Sequence, residues 1–204
     1  MLKVGLTGGI ASGKSTVAAM LRARGCPVLE MDPIGHQLLK PGEPAYDETV
    51  REFGRAILDA NGAIDRDKLG AIVFASKEKR ERLNAILHPK ILAKVREWFE
   101  ARDKEGADFA VVEAALIYEA AYDKELDRMV VCWCRPEQQL ARLERRGLTR
   151  EQAQARVDAQ MSIDEKRKLA DDVIDCSKSL EETNRQTETL VNNLKRLAAR
   201  RNIS

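Results

Sequence analysis

Neither sign of charge is in large excess: 35 Lys and Arg stand against 33 Asp and Glu, a formal net charge of +2 over 204 residues. The one-sided basic balance that binds nucleic acid nonspecifically is missing, so a bulk DNA or RNA partner is not implied. Long apolar runs are also missing. The longest, around Phe109 to Tyr118, is interrupted by Glu113 and falls far short of the ~20 residues needed to cross a bilayer. No membrane-spanning helix is expected. The N-terminus runs straight into Val4, Gly5, Leu6 and Thr7 without an h-region or a small-residue cleavage site, which gives a cytoplasmic reading. Cysteine is sparse. Cys26, Cys132, Cys134 and Cys176 show no CxxC spacing and no paired histidine motif, which argues against a zinc site and a disulfide framework and leaves buried thiols. Internal repeats and low-complexity segments are lacking as well. What is present, 44% hydrophobic and 33% charged residues, supplies a core and excludes disorder over most of the length. At ~150 residues per domain, one compact domain with insertions is expected.

Hydrophobic patterning organises the chain. Leu2 to Thr7 is a short apolar run before a glycine cluster, and Thr16 to Arg24 carries Val17, Met20 and Leu21 at helical spacing. Gly25 and Pro27 stop that helix, and Val28 to Met31 reads as a second strand ending at Asp32. This βαβ-like unit implies parallel strands in one sheet. From Pro33 to Glu105, Pro41, Gly42, Pro44, Gly54 and Gly62 punctuate helical segments without a convincing strand. The last of these is expected to start at Pro89 and run to Glu105, with Ile91, Leu92, Val95, Trp98 and Phe99 forming an apolar stripe. Phe109 to Val112 and Met129 to Trp133 read as strands buried on both faces, in the middle of the sheet. Helices follow at Pro136 to Arg146 and Thr149 to Gln160, with Thr149 as N-cap. A short strand comes at Val173 to Asp175, then a closing helix at Leu180 to Ala199, with a frayed basic tail at Arg200 and Arg201.

The chemistry is concentrated in Gly8-Gly9-Ile10-Ala11-Ser12-Gly13-Lys14-Ser15, a full match to G-x-x-x-x-G-K-[ST] between a strand and a helix. Such a loop turns successive backbone N–H groups onto a polyphosphate and adds the partial positive charge of a helix N-terminus. Gly9, Ala11, Ser12, Gly13, Lys14, Ser15 and Thr16 are the expected ATP-binding residues. Lys14 reaches the β- and γ-phosphates, and the Ser15 hydroxyl is a ligand for Mg²⁺. Because switches, motors and kinases share this loop, the activity must be read elsewhere. No N-K-x-D guanine motif occurs, and the D-x-x-G matches at Asp32 and Asp59 are poorly placed for a switch.

Asp32, at the end of the second strand, stands where open α/β sheets bind ligands. Its carboxylate can take a proton from an attacking hydroxyl, or it can simply cap the helix after Pro33. Glu113 ends the third strand and needs a partner inside its apolar run, either Mg²⁺ with its water shell or a positive side chain. Arg142, Arg145 and Arg146 share one helix face. Delivered by a closing lid, such guanidinium groups stabilise phosphoryl transfer, although each arginine taken singly also fits a solvated face. His36 lies one turn beyond Asp32, and His88 stands at the expected helix entrance.

These residues together resemble the dephospho-CoA kinases, in their bacterial single-domain form, over nearly the whole chain. The opening Val4 to Thr16 is similar to that family's opening and more specific than a generic P-loop. Asp65-Arg66, Leu69, Val73-Phe74, Leu83, Ile86 and His88-Pro89 resemble its helical CoA-binding region. Ala115-Leu116-Ile117-Tyr118-Glu119, Arg145 to Gln160 and Ala170 to Asp175 resemble its later segments. Cys176 stands where the family commonly has Asn, Ala114 and Ala115 where a proline and its neighbour are usual, and Glu113 where Asp is more familiar. The resemblance implies an α/β P-loop kinase fold: a parallel five-stranded sheet flanked by helices, with a helical substrate-binding insertion at about 33–106 and a lid at about 145–169. The core then comprises about 1–32, 107–144 and 170–200. It implies transfer of the γ-phosphoryl of ATP, with Mg²⁺, to the ribose 3′-hydroxyl of dephospho-CoA. The implied catalytic residues are Asp32, Lys14, Arg142 and Arg145, with Asp32, His36, Arg66, His88 and Glu113 on the acceptor. Implied partners are these two small molecules, and the implied state is a monomer or weak homo-oligomer. Rival readings are a kinase of another small acceptor such as a nucleoside monophosphate or shikimate, a nucleotide-dependent switch, and a nonenzymatic CoA-binding module.

Overall fold

In the computed structural model, which describes residues 1–201 apart from the side chain of Phe74, five strands form one sheet. They are β1 (Leu2–Gly8), β2 (Val28–Glu30), β3 (Phe109–Glu113), β4 (Arg128–Trp133) and β5 (Asp172–Asp175), in the order β2-β3-β1-β4-β5. β1 runs parallel to β3 and β4, and β4 runs parallel to β5. The expected interior positions of the third and fourth strands are therefore met, and both are buried along their apolar runs as double-sided packing requires. The register Leu6↔Glu113, Gly8↔Cys132 and Trp133↔Asp175 brings the carboxyl ends of four strands to one edge. Ligands of open α/β sheets bind outside such an edge.

Two compact units divide the chain: Met1–Leu29 with the residues from Phe99 onward, and Glu30–Trp98. In the first, α1 (Lys14–Arg22) and α9 (Leu180–Arg201) cover one sheet face. Val17, Leu21, Val191 and Leu194 pack there against Leu2, Val4, Leu6, Val111 and Val130. The same unit holds α6 (Pro136–Glu144), α7 (Arg150–Asp158) and α8 (Ile163–Leu169). Leu140, Leu143 and Ala153 form a smaller cluster with Ile10, Ala11, Leu148 and Val157. Thr149 is the N-cap of α7, as expected, and accepts from Gln152 N. All four cysteines are buried and free.

The second unit contains α2 (Asp32–Leu38), α3 (Tyr46–Phe53), α4 (Arg66–Ala75) and most of α5 (Lys77–Lys104). Its extended pairing, among the described residues, is one isolated bridge, Leu58↔Ile64. Ile57, Leu69 and Val73 form one apolar cluster, and Leu38, Ala45 and Ile86 form another.

Three local expectations are corrected. Pro89 does not begin a helix; it lies inside α5, which starts twelve residues earlier at Lys77. An interior proline removes one backbone hydrogen bond and crowds the preceding turn. Here Ile86, Leu87 and Ile91 pack into one cluster from both sides of it, so tertiary burial carries the helix through. α8 was not anticipated. It is seven residues long and too short to show a periodic stripe. Arg200 and Arg201 continue α9, and Arg201 Nη1 pairs with Asp127 Oδ1 at 2.6 Å.

Candidate active site

The loop Gly9 to Gly13 leaves the carboxyl end of β1 and enters α1 at Lys14. Ser12 N donates to Gly9 O at 3.1 Å, closing a four-residue turn with Ile10 and Ala11 at its centre. Ala11 is left-handed, with φ 58°. Gly13 is the N-cap of α1, with φ 109°, and a Cβ there would meet Cys176 Cβ at 3.0 Å and Sγ at 3.1 Å. Conformation and space both demand glycine at that point. At Gly9 space alone is limiting: a Cβ would lie 2.3 Å from Gln139 Nε2, the end of a side chain that would have to move. At Gly9 and Gly13 the backbone is bare of side chains, which lets a polyphosphate approach it closely.

Lys14 Nζ pairs with Glu113 Oε1, and both side chains are nearly buried. Glu113, 5% exposed, ends β3 opposite Leu6. Lys14 is thus one of the two kinds of partner left open for it. Ser15 and Thr16 are exposed in the first turn of α1. An exposed hydroxyl beside the cradle suits a hard cation that keeps most of its waters, so the donor set fits Mg²⁺.

Arg142 lies on the loop: Nη1 donates to Ala11 O at 3.0 Å and Nη2 to Cys176 O at 2.7 Å. Arg145 does not join it. It is the exposed C-cap of α6. Cys176, the departure from the resembled family, is packed on Gly13 beside Cys132. A hydrogen bond from Cys132 holds the Cys176 thiol below its ordinary range, while burial pushes Cys132 well above its own and Cys134 to about 11.

The second unit holds the other expected residues. Asp32 is the exposed first residue of α2, and Met31, not Asp32, occupies the N-cap position. Arg66 Nη2 donates to His36 Nε2 at 2.9 Å, so α4 and α2 bring those two together. His88 is inside α5 and does not join that pair. The residue is exposed, and partial desolvation of its imidazole lowers the pKa from the ordinary value.

Two glutamines hydrogen-bonded to the loop escaped the sequence reading. Gln139 Nε2 donates to Ile10 O at 2.7 Å, and Gln160 Oε1 accepts from Ile10 N at 2.9 Å. Lys166, 0% exposed, donates to Ala115 O at 2.6 Å and pairs with Glu119 at 2.8 Å. Trp133 Nε1 donates to Asp164 Oδ1 at 2.8 Å, under the Arg167 guanidinium. Uncharged glutamines in polar helices carry no spacing signal. Ser162-x-x-Glu165 is a capping-box signature that does mark α8, and its reciprocal hydrogen bonds are formed.

Comparison with known proteins agrees with this geometry. A family model described as Dephospho-CoA kinase matches residues 2–182. The chain is 46% identical over 186 residues to a dephospho-CoA kinase of Symbiobacterium thermophilum, covering 91% of this chain and 78% of that one. Identity to a dephospho-CoA kinase of Geobacillus kaustophilus is also 46% over 186 residues, covering 91% and 92%. The solved structure of the dephospho-CoA kinase from Campylobacter jejuni is similar with a TM-score of 0.73 at 31% identity, covering 95% of this chain and 97% of that one. The match runs through the phosphate loop, the helical unit and the final strand alike, so the chain belongs to the dephospho-CoA kinase family.

Proposed function

We propose that this protein phosphorylates the ribose 3′-hydroxyl of dephospho-CoA with ATP, giving coenzyme A and ADP. The observation that carries the reading is the glycine-tight, left-handed turn from Gly9 to Gly13, with Lys14 behind it, at the carboxyl edge of the sheet. The acceptor rests on family membership.

In the reaction the 3′-oxygen attacks the γ-phosphorus and forms a new P–O bond. The bond from that phosphorus to the β–γ bridging oxygen breaks, and ADP leaves. Asp32 takes the hydroxyl proton as general base. Gly9, Ala11, Ser12, Gly13, Lys14, Ser15 and Thr16 bind the triphosphate through backbone N–H groups and side chains. Lys14 exchanges Glu113 for the β- and γ-phosphates, and its charge offsets what develops on the transferred group. Ser15 would hold Mg²⁺, which when bound neutralises phosphate charge. Arg142 supports the loop through Ala11 O, and Arg145 reaches the phosphates when a lid at about 145–169 closes. The insertion at about 33–106 holds the acceptor, with His36, Arg66 and His88 on it and Glu113 completing the site. Arg66 and His36, already hydrogen-bonded, supply adjacent donors for an acceptor phosphate.

An acceptor panel tests the assignment. With magnesium and ATP, ADP release with dephospho-CoA is expected to exceed that with AMP, shikimate or pantetheine by at least ~100-fold in kcat/KM. Equal turnover on AMP would reject it.

A further inference from the structure

Both peptide units of Ile10 are gripped by glutamine side chains from outside the loop. Gln139 comes from α6, is 2% exposed, and donates to Ile10 O. Gln160 comes from the connection between α7 and α8 and accepts from Ile10 N. Apolar contact backs this grip, since Ile10 and Ala11 pack with Leu140, Leu143, Ala153 and Val157 of the same helices.

The Ile10–Ala11 peptide is the central unit of the Gly9–Ser12 turn. Such a unit has two orientations, related by a flip, as in type I and type II turns. In a trans peptide the C=O and the following N–H point opposite ways. Fixing Ile10 O on Gln139 therefore aims Ala11 N–H away from Gln139. The left-handed Ala11 is the backbone signature of that orientation, at a cost of roughly 1 kcal/mol for a residue with a Cβ. Without the Gln139 donor the less strained orientation is favoured, and it puts a carbonyl where the N–H had been.

We propose that Gln139 and Gln160 are positioning residues for nucleotide binding, holding Ile10 from both sides so that the next peptide presents its N–H and not its carbonyl to the polyphosphate. The inference rests on the loop binding ATP as proposed above. It makes ATP affinity depend on α6 and on the α7–α8 connection, neither of which lies in the phosphate loop.

Gln139→Met and Gln160→Met keep side-chain volume and remove the amide. ATP affinity is read by calorimetric titration with magnesium and no acceptor. Each single variant is expected to bind ATP ~10-fold more weakly. The double variant is expected to lose no more than ~3-fold beyond the worse single, because both amides act on one residue's peptides. KM for dephospho-CoA stays within about twofold. Unchanged ATP affinity with a lowered Tm would overturn the proposal, as would losses that multiply in the double variant. If Gln139→Met does not fold, Gln160→Met decides by the same criterion. A wild-type protein that binds ATP but leaves dephospho-CoA unphosphorylated would sink the proposed activity and not this inference. Variants binding ATP like an active wild type would sink this inference alone.

Discussion

The proposed reaction assigns the proton transfer to Asp32, with a helix-terminal role as the alternative. Asp32 is exposed at the first position of α2, while Met31 holds the N-cap place. Asp32→Asn is expected to lower kcat by ~10²–10⁴-fold while ATP affinity, titrated directly, stays within about twofold. A near-normal kcat would reduce Asp32 to a helix-terminal residue. Asp32 was legible in the sequence because a short apolar run, an acid and a proline follow one another directly. Glu113 was legible as a strand-ending acid, but its partner was not. That Lys14 reaches it depends on the pairing of β1, which leads into the loop and α1, with β3, and neither segment encodes that by itself.

At the scale of elements, α8 is held by contacts rather than by propensity. Its seven residues form too short a helix to stand alone in water. Lys166 anchors it to the segment after β3 through Ala115 O and Glu119, and Glu119 also accepts from Met161 N at 2.9 Å. Lys166→Met is expected to cost about 1 kcal/mol, chiefly the lost hydrogen bond to Ala115 O, and adding Glu119→Gln should change that little, since the Glu119 carboxylate is exposed to water. Urea unfolding of the single and double variants measures both. A neutral Lys166→Met would mean that Lys166 does not hold α8. Pro89 teaches the complementary lesson. Its local preference marks a helix start, yet α5 passes through it because Ile86 is buried with Leu87 and Ile91 packed against the same cluster on either side of it.

For the whole molecule, His88 adds a pH-dependent contribution to stability, a small one because the residue is exposed. Partial desolvation pushes its imidazole pKa below the usual value of 6.5, so the unfolded chain takes up the proton first. Its contribution is fully present above pH ~6.5 and is lost as pH falls through the lower folded value. Wild-type stability is therefore expected to fall slightly more steeply than that of His88→Gln between about pH 7 and pH 5, measured by urea midpoints at constant ionic strength. Parallel curves would assign the acid loss to other groups. Among the described residues no helix is long and apolar enough to cross a membrane, in line with the scarcity of uninterrupted apolar runs.

The sequence by itself determined the phosphate loop, the interior strands β3 and β4, the acid that ends β3 and the helical character of residues 33–105. Each of these is written in adjacent residues or in a short period. Tertiary structure alone decided that Gln139 and Gln160 grip Ile10, that Arg142 spans Ala11 and Cys176, that Cys176 closes on Gly13, and that Lys14 rests on Glu113. Most of those contacts join residues more than a hundred positions apart. Strand register and helix packing set them, and no local pattern carries that information.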